Sequence, residues 1–191
     1  MYPPGFAVYI TLGAMNTIRS WHMVTNSRLL SVPPPQQLES LALAYLESAQ
    51  SLCDALADDP KNATFEKGAV VLYLSAHAVE LFLKGAILRK APNETFSHDL
   101  EHIHNRYRAL FPAKRFALTS MPFSSEYPGV TKQEIAKVKR ENPDPSEMYR
   151  YPVSKTGEPW EAALGFEASS FSRSLCVLHA DFRRISTEHD A

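Results

Sequence analysis

The run from Gly68 to Leu88, GAVVLYLSAHAVELFLKGAIL, is apolar and long enough to cross a bilayer, yet it carries His77, Glu80 and Lys84. At 100° per residue these three fall within about 60° of arc, with Tyr73 and Leu88 on the same flank. The run is therefore one helix with a polar stripe. A membrane span would set a carboxylate and an ammonium near mid-bilayer, which is costly even for a pair. A central helix of a soluble bundle instead buries most of its circumference and turns the stripe to a groove, a partner or solvent. Glu80 lies four residues before Lys84, the favourable order for an intrahelical ion pair. The stripe predicts the central helix of a soluble domain with no membrane partner.

With 191 residues, 45% of them hydrophobic and 21% charged, the chain can bury one substantial core and makes a single domain with appendages. A formal charge of -1 and a pI near 6.7 provide no overall field for nucleic acid, so any polyanion binding must be local. Cys53 and Cys176 have neither CxxC spacing nor a histidine at ligand distance in sequence, and read as reduced core thiols of a cytoplasmic protein. No cofactor is implied. Residues 1–35 differ from the rest. They hold no acidic residue, begin with Pro3 and Pro4 and end at Pro33, Pro34 and Pro35. They read as an N-terminal extension packed on the domain, or as an over-long start with Met23 as the true one.

After the triple proline, Leu38, Leu41, Tyr45, Leu52 and Leu56 recur at helical spacing, which predicts a first core helix over residues 36–57. Asp58, Asp59 and Pro60 stop it. The striped helix runs from about Phe65 to Lys90, with Arg89 and Lys90 at the negative end of its dipole. Ser97 can cap the next helix, with Leu100, Ile103, Tyr107 and Leu110 on one face. Six of the fourteen prolines fall between residues 113 and 159, marking an insertion. It holds one short helix, because Thr131 and Glu134 form a capping box, and a possible small hairpin around Ser154 to Gly157. A last helix spans about 160–185 on the seam Leu164, Phe171, Leu175, Leu178, Phe182 and Ile185. The sum is an all-α, up-and-down four-helix bundle over residues 36–191.

The run Ala76-His-Ala-Val-Glu80-Leu-Phe-Leu-Lys84, then Ser97-His98-Asp99-Leu100, then Tyr149-Arg150-Tyr151-Pro152, resembles HEPN-domain proteins over most of the chain. The resemblance implies a helical-bundle homodimer associated with toxin–antitoxin, phage-defence or RNA-processing systems. It also implies RNA or nucleotide ligands and an antitoxin or operon partner. Many HEPN proteins are metal-independent endoribonucleases whose signature is an Arg separated from a His by four to six residues on the last core helix, with both copies meeting across the dimer. Others lack it and serve as binding modules.

Arg173 and His179 fit that signature here. Composition alone produces roughly one such pair by chance, and the two lie about 120° apart around their helix, with His179 at the core edge and Arg173 pointing away from its own bundle. In an active site the His would move a proton of the ribose 2′-OH or the 5′-oxygen while the Arg stabilised the phosphorane. As a structural pair they are a surface Arg and a boundary His. His77, Glu80 and Lys84 read as a groove, or as the polar seam of a crowded helix. Tyr149, Arg150 and Tyr151 offer a cation between aromatics for a base to stack on. Lys137, Lys139 and Arg140, with Lys132, make the inserted helix basic enough for phosphate contacts, although a solvated face reads equally from such charges. His98 and His102 stand one turn apart, the spacing of helical zinc pairs, but no third ligand is evident and capping or solvation accounts for them. The leading expectation is a dimeric binding module, with an endoribonuclease using Arg173 and His179 as the alternative. In either case the stripe is expected to border the groove holding His179.

Overall fold

Prolines 33–35 set the start of the first long helix, because the opening N–H groups of a helix have no intrahelical acceptor and proline loses nothing there. A single turn, α1 (Ser27–Leu30), leads into α2 (Pro34–Asp58), with prolines in its first two positions. A short 3-10 turn at Pro60–Asn62 reverses the chain into α3 (Phe65–Lys90), followed by α4 (Leu100–Leu110), a second 3-10 turn at Lys114–Phe116, and α5 (Ala168–Asp190). The computed structural model describes residues 25–121, 123, 131, 133–134, 137, 149–151, 153, 156–158 and 165–190. The first 24 residues, and with them most of the expected extension, lie outside the described residues.

The described residues are mostly helical and no strand occurs among them, so the chain is all-α. Helix α3 is central, packing on α2, α4 and α5. It is the one described helix apolar and long enough to cross a membrane, and 67% of its most apolar window is buried inside the protein. That burial is compatible with a soluble bundle.

The core face of α2 differs from the expected one. Leu41 is exposed and Leu38, Tyr45 and Leu52 are half-buried, whereas Ala42, Leu46, Ala49, Cys53 and Leu56 are buried. Small residues take the contact because α2 lies close against α3. A Cβ on Gly85 would meet the Pro35 carbonyl oxygen at 2.9 Å and Glu39 Cγ at 3.1 Å. At the same end Glu39, itself buried, accepts both Arg89 Nε at 2.8 Å and an Arg89 terminal nitrogen at 2.9 Å, a fork-to-fork pair between α2 and α3.

The α5 seam follows the expected register, with Leu175, Leu178, Phe182 and Ile185 fully buried and Phe182 stacked on Phe82 of α3 at 3.9 Å. Its start does not. Residues 165–167 are non-helical, and Glu167 caps the helix by accepting the Ser169 and Ser170 N–H groups. Buried Asp181 accepts from the Thr119 N–H and hydroxyl and from Arg184, tying residues 117–119 to α5. In α4 the cap is Asp99, whose carboxylate accepts the His102 N–H at 2.9 Å, so the helix opens two residues after the expected Ser97. Ser97 Oγ accepts the Asp99 N–H instead. The two cysteines part company: Cys53 is a core thiol donating to the Ala168 carbonyl, and burial first, then Asp54 and Glu167, pushes it up to about 11. Cys176 is exposed rather than in the core.

In the insertion, the Thr131 and Glu134 capping box is formed, with the Thr131 N–H donating to Glu134 at 2.8 Å and the Glu134 N–H to Thr131 Oγ1 at 3.3 Å. Of the expected hairpin, the described residues hold only a single bridge residue, Val153, and a turn at Gly157, whose φ of 84° is the left-handed conformation glycine adopts freely.

Candidate functional site

The polar stripe of α3 does not face solvent. Glu80 is buried, and its side chain is only 6% exposed. One oxygen, Oε1, accepts from Lys84 Nζ at 2.6 Å and from His98 Nδ1 at 2.9 Å, while Oε2 lies 3.7 Å from His77 Nδ1. Burial by itself would raise this carboxyl. The nearby His77 ring, the hydrogen bonds from Lys84 and His98, and the Lys84 charge override it and bring the group down to about 2. Glu80 is ionised and can only accept, so the His98 Nδ1 carries a proton and, in the neutral ring, Nε2 holds the free lone pair.

His98 reaches Glu80 because the connection after α3 doubles back. From Glu80 to Lys90 the helix climbs about 15 Å, and residues 91–98 return that distance. Two contacts secure the return. Glu94 receives both Arg106 Nε at 2.9 Å and a terminal nitrogen at 2.8 Å from α4, and Phe96 lies beneath the Lys84 ammonium, 5.5 Å from ring centre to Nζ.

Above the stripe opens a cavity of about 270 Å³ lined by Tyr73, Ala76, His77, Glu80, His98, Leu100 and Arg150. The His77 ring is held between two tyrosines, edge-on to Tyr45 of α2 at 4.7 Å and parallel to Tyr73 at 5.9 Å. Arg150, carried in by the insertion, sets its guanidinium 5.6 Å from the Tyr73 ring centre and 5.6 Å from that of Tyr151. An exposed cation thus stands between aromatic faces at the mouth of a cavity whose carboxylate is already neutralised by Lys84. The combination suits a planar group carrying negative charge. At 270 Å³ it is at the small end of ligand sites, the scale of a nucleotide fragment.

The stripe and Arg150 are thereby brought together from sequence positions some seventy residues apart. Two contributors carry little signal in the sequence: His98, whose position suits a cap or a solvated residue, and Tyr73, which flanks the stripe. The signal for His98 is weak, since only the doubling back of residues 91–98 brings it to Glu80.

Arg173 and His179 are placed differently. Arg173 is exposed and donates to Ser170 Oγ one turn earlier at 2.8 Å. His179 is half-buried, with a buried Nδ1 that has no hydrogen-bond partner. Burial first, then Arg183, lowers its pKa, with Glu47 of α2 opposing. Neither residue lines the seam cavity, which takes nothing from α5. The expected border between the stripe and a His179 groove is therefore not found there. Lys137 is exposed in the inserted helix, while Lys139 and Arg140 lie outside the described residues. No group of three His, Cys, Asp or Glu able to hold a metal occurs among the described residues.

A second, open depression of about 810 Å³ lies between α4 and residues 111–121 and contains none of the expected site residues. Compared with models of known protein families, with curated proteins and with solved structures, the chain has no match.

Proposed function

We propose that this chain is a HEPN-like, dimeric binding module whose ligand is single-stranded RNA, held by a nucleotide seated in the seam cavity of α3. The observation that carries the reading is Arg150 standing between Tyr73 and Tyr151 at the mouth of that cavity. A guanidinium can take a phosphate while aromatic faces take a base, the combination by which proteins hold unpaired nucleotides. The chain's overall charge of -1 fits a local site rather than a polyanion-binding surface. Homodimerisation, a cytoplasmic setting, a defence or stress role and an antitoxin-like protein partner follow from the HEPN resemblance of Glu80, Lys84 and the His98-Asp99-Leu100 helix start. The test is titration of a labelled single-stranded oligoribonucleotide with the full chain at several salt concentrations. Binding that weakens as salt rises is expected, and absence of binding at low salt would overturn the reading.

A second reading is a metal-independent endoribonuclease using Arg173 and His179. It is favoured by the unpartnered buried nitrogen of His179 and by burial, which keeps the ring neutral and able to accept a proton. In a dimer the outward Arg173 would meet the partner's site. RNA cleavage in EDTA that disappears in His179→Ala supports this reading, and cleavage unchanged in that variant removes it.

A further inference from the structure

We infer that His98 and Glu80 form a general-base pair acting on the ribose 2′-hydroxyl of RNA bound in the seam cavity, an inference that rests on the RNA-binding reading above. Glu80 is desolvated and fixed by Lys84 and His77, so its Oε1 is a rigid acceptor. His98 donates Nδ1–H to that oxygen at 2.9 Å, which in the neutral ring fixes the tautomer with the lone pair on Nε2. The remainder of the ring is open, with 78% of the side chain exposed, so Nε2 is free to meet a substrate at the cavity mouth. This is the arrangement in which a buried carboxylate orients an imidazole base. Arg150 lines the same cavity and supplies the positive charge that a pentavalent phosphorane needs.

The step balances without a co-reactant other than water. His98 Nε2 takes the 2′-OH proton, and the 2′-oxygen forms a bond to phosphorus as the bond from phosphorus to the 5′-oxygen breaks. The 5′-oxygen leaves with a proton from a water molecule at the open mouth, and His98 returns its own proton to the resulting hydroxide. The products are a 2′,3′-cyclic phosphate end and a 5′-hydroxyl end. A 2′-deoxy residue at the reacting position would bind but not react. In this scheme His98 is the catalytic residue and Glu80 a positioning residue.

The test uses the full chain and a short single-stranded RNA, with binding followed by fluorescence anisotropy and products identified by mass. Wild type is expected to yield the cyclic phosphate. His98→Ala is expected to lower the cleavage rate at saturating RNA by about 100-fold or more, with the variant's fold checked by circular dichroism. His102→Ala, four residues further on in the first turn of α4 and outside the cavity, is expected to leave the rate within about twofold. Glu80→Gln should lower kcat with KM unchanged, the mark of an interaction made in the transition state alone. Binding by wild type without cleavage, or cleavage undiminished in His98→Ala, would overturn the inference and leave the binding reading standing. Failure of wild type to bind RNA would overturn both.

Discussion

Glu80 receives three side chains on one buried carboxylate, and its low pKa has a direct consequence for stability. A carboxyl depressed to about 2 in the folded protein and near 4.5 unfolded contributes stability that is fully present above 4.5 and lost as pH falls toward 2. The amount is on the order of 3 kcal/mol. Urea denaturation at steps from pH 6 to pH 2.5 should show that loss in the wild type and a visibly shallower one in Glu80→Gln. Parallel curves for the two proteins would show that the seam network contributes nothing. Exposed Glu167 is also held near 2, by hydrogen bonds from Ser170 and Ser169, but it is present in both proteins and cancels in the comparison. What could be read at this scale was periodicity: the i to i+4 spacing of Glu80 and Lys84 and the common arc with His77. The approach of His98 could not be read, because it depends on the path of a nine-residue connection rather than on any local pattern.

Among the helices, the contact of α2 with α3 shows why spacing alone misjudged a core face. Leucines at 38, 41 and 52 carry the stronger hydrophobic signal, but the buried face runs through Ala42, Leu46, Ala49, Cys53 and Leu56, and near its start Gly85 lets the backbone of α2 approach beside Leu38. Where no such close approach intervenes, as on α5, the leucine and phenylalanine seam and the buried face coincide. Gly85→Ala separates the two effects. Helix propensity favours the alanine by about 1 kcal/mol, whereas its Cβ would meet a backbone carbonyl oxygen at 2.9 Å, which α2 can relieve only by shifting. The expected outcome is a net loss of about 1 to 2 kcal/mol in chemical denaturation. A gain in stability would mean that α2 and α3 are not held at this distance. The helix boundaries were less legible than the helices themselves: Asp99 caps α4 where Ser97 was the expected cap, and Glu167 caps α5 well after the expected start near residue 160.

At the scale of the whole molecule, the site joins three stretches of sequence: the striped helix α3, the doubled-back connection into α4 and the aromatic Arg150 segment of the insertion. The last was legible as a stacking surface but not as a neighbour of the stripe, because its docking depends on a tertiary contact with Tyr73, far away in sequence. The most direct measurement is the affinity of single-stranded RNA for wild type and for Arg150→Ala, by anisotropy over a range of salt. The account predicts a Kd raised by about tenfold and a log–log salt slope smaller by about one, as expected when one stacked cation and its phosphate contact are removed. Equal affinity and equal slope in the two proteins would contradict it.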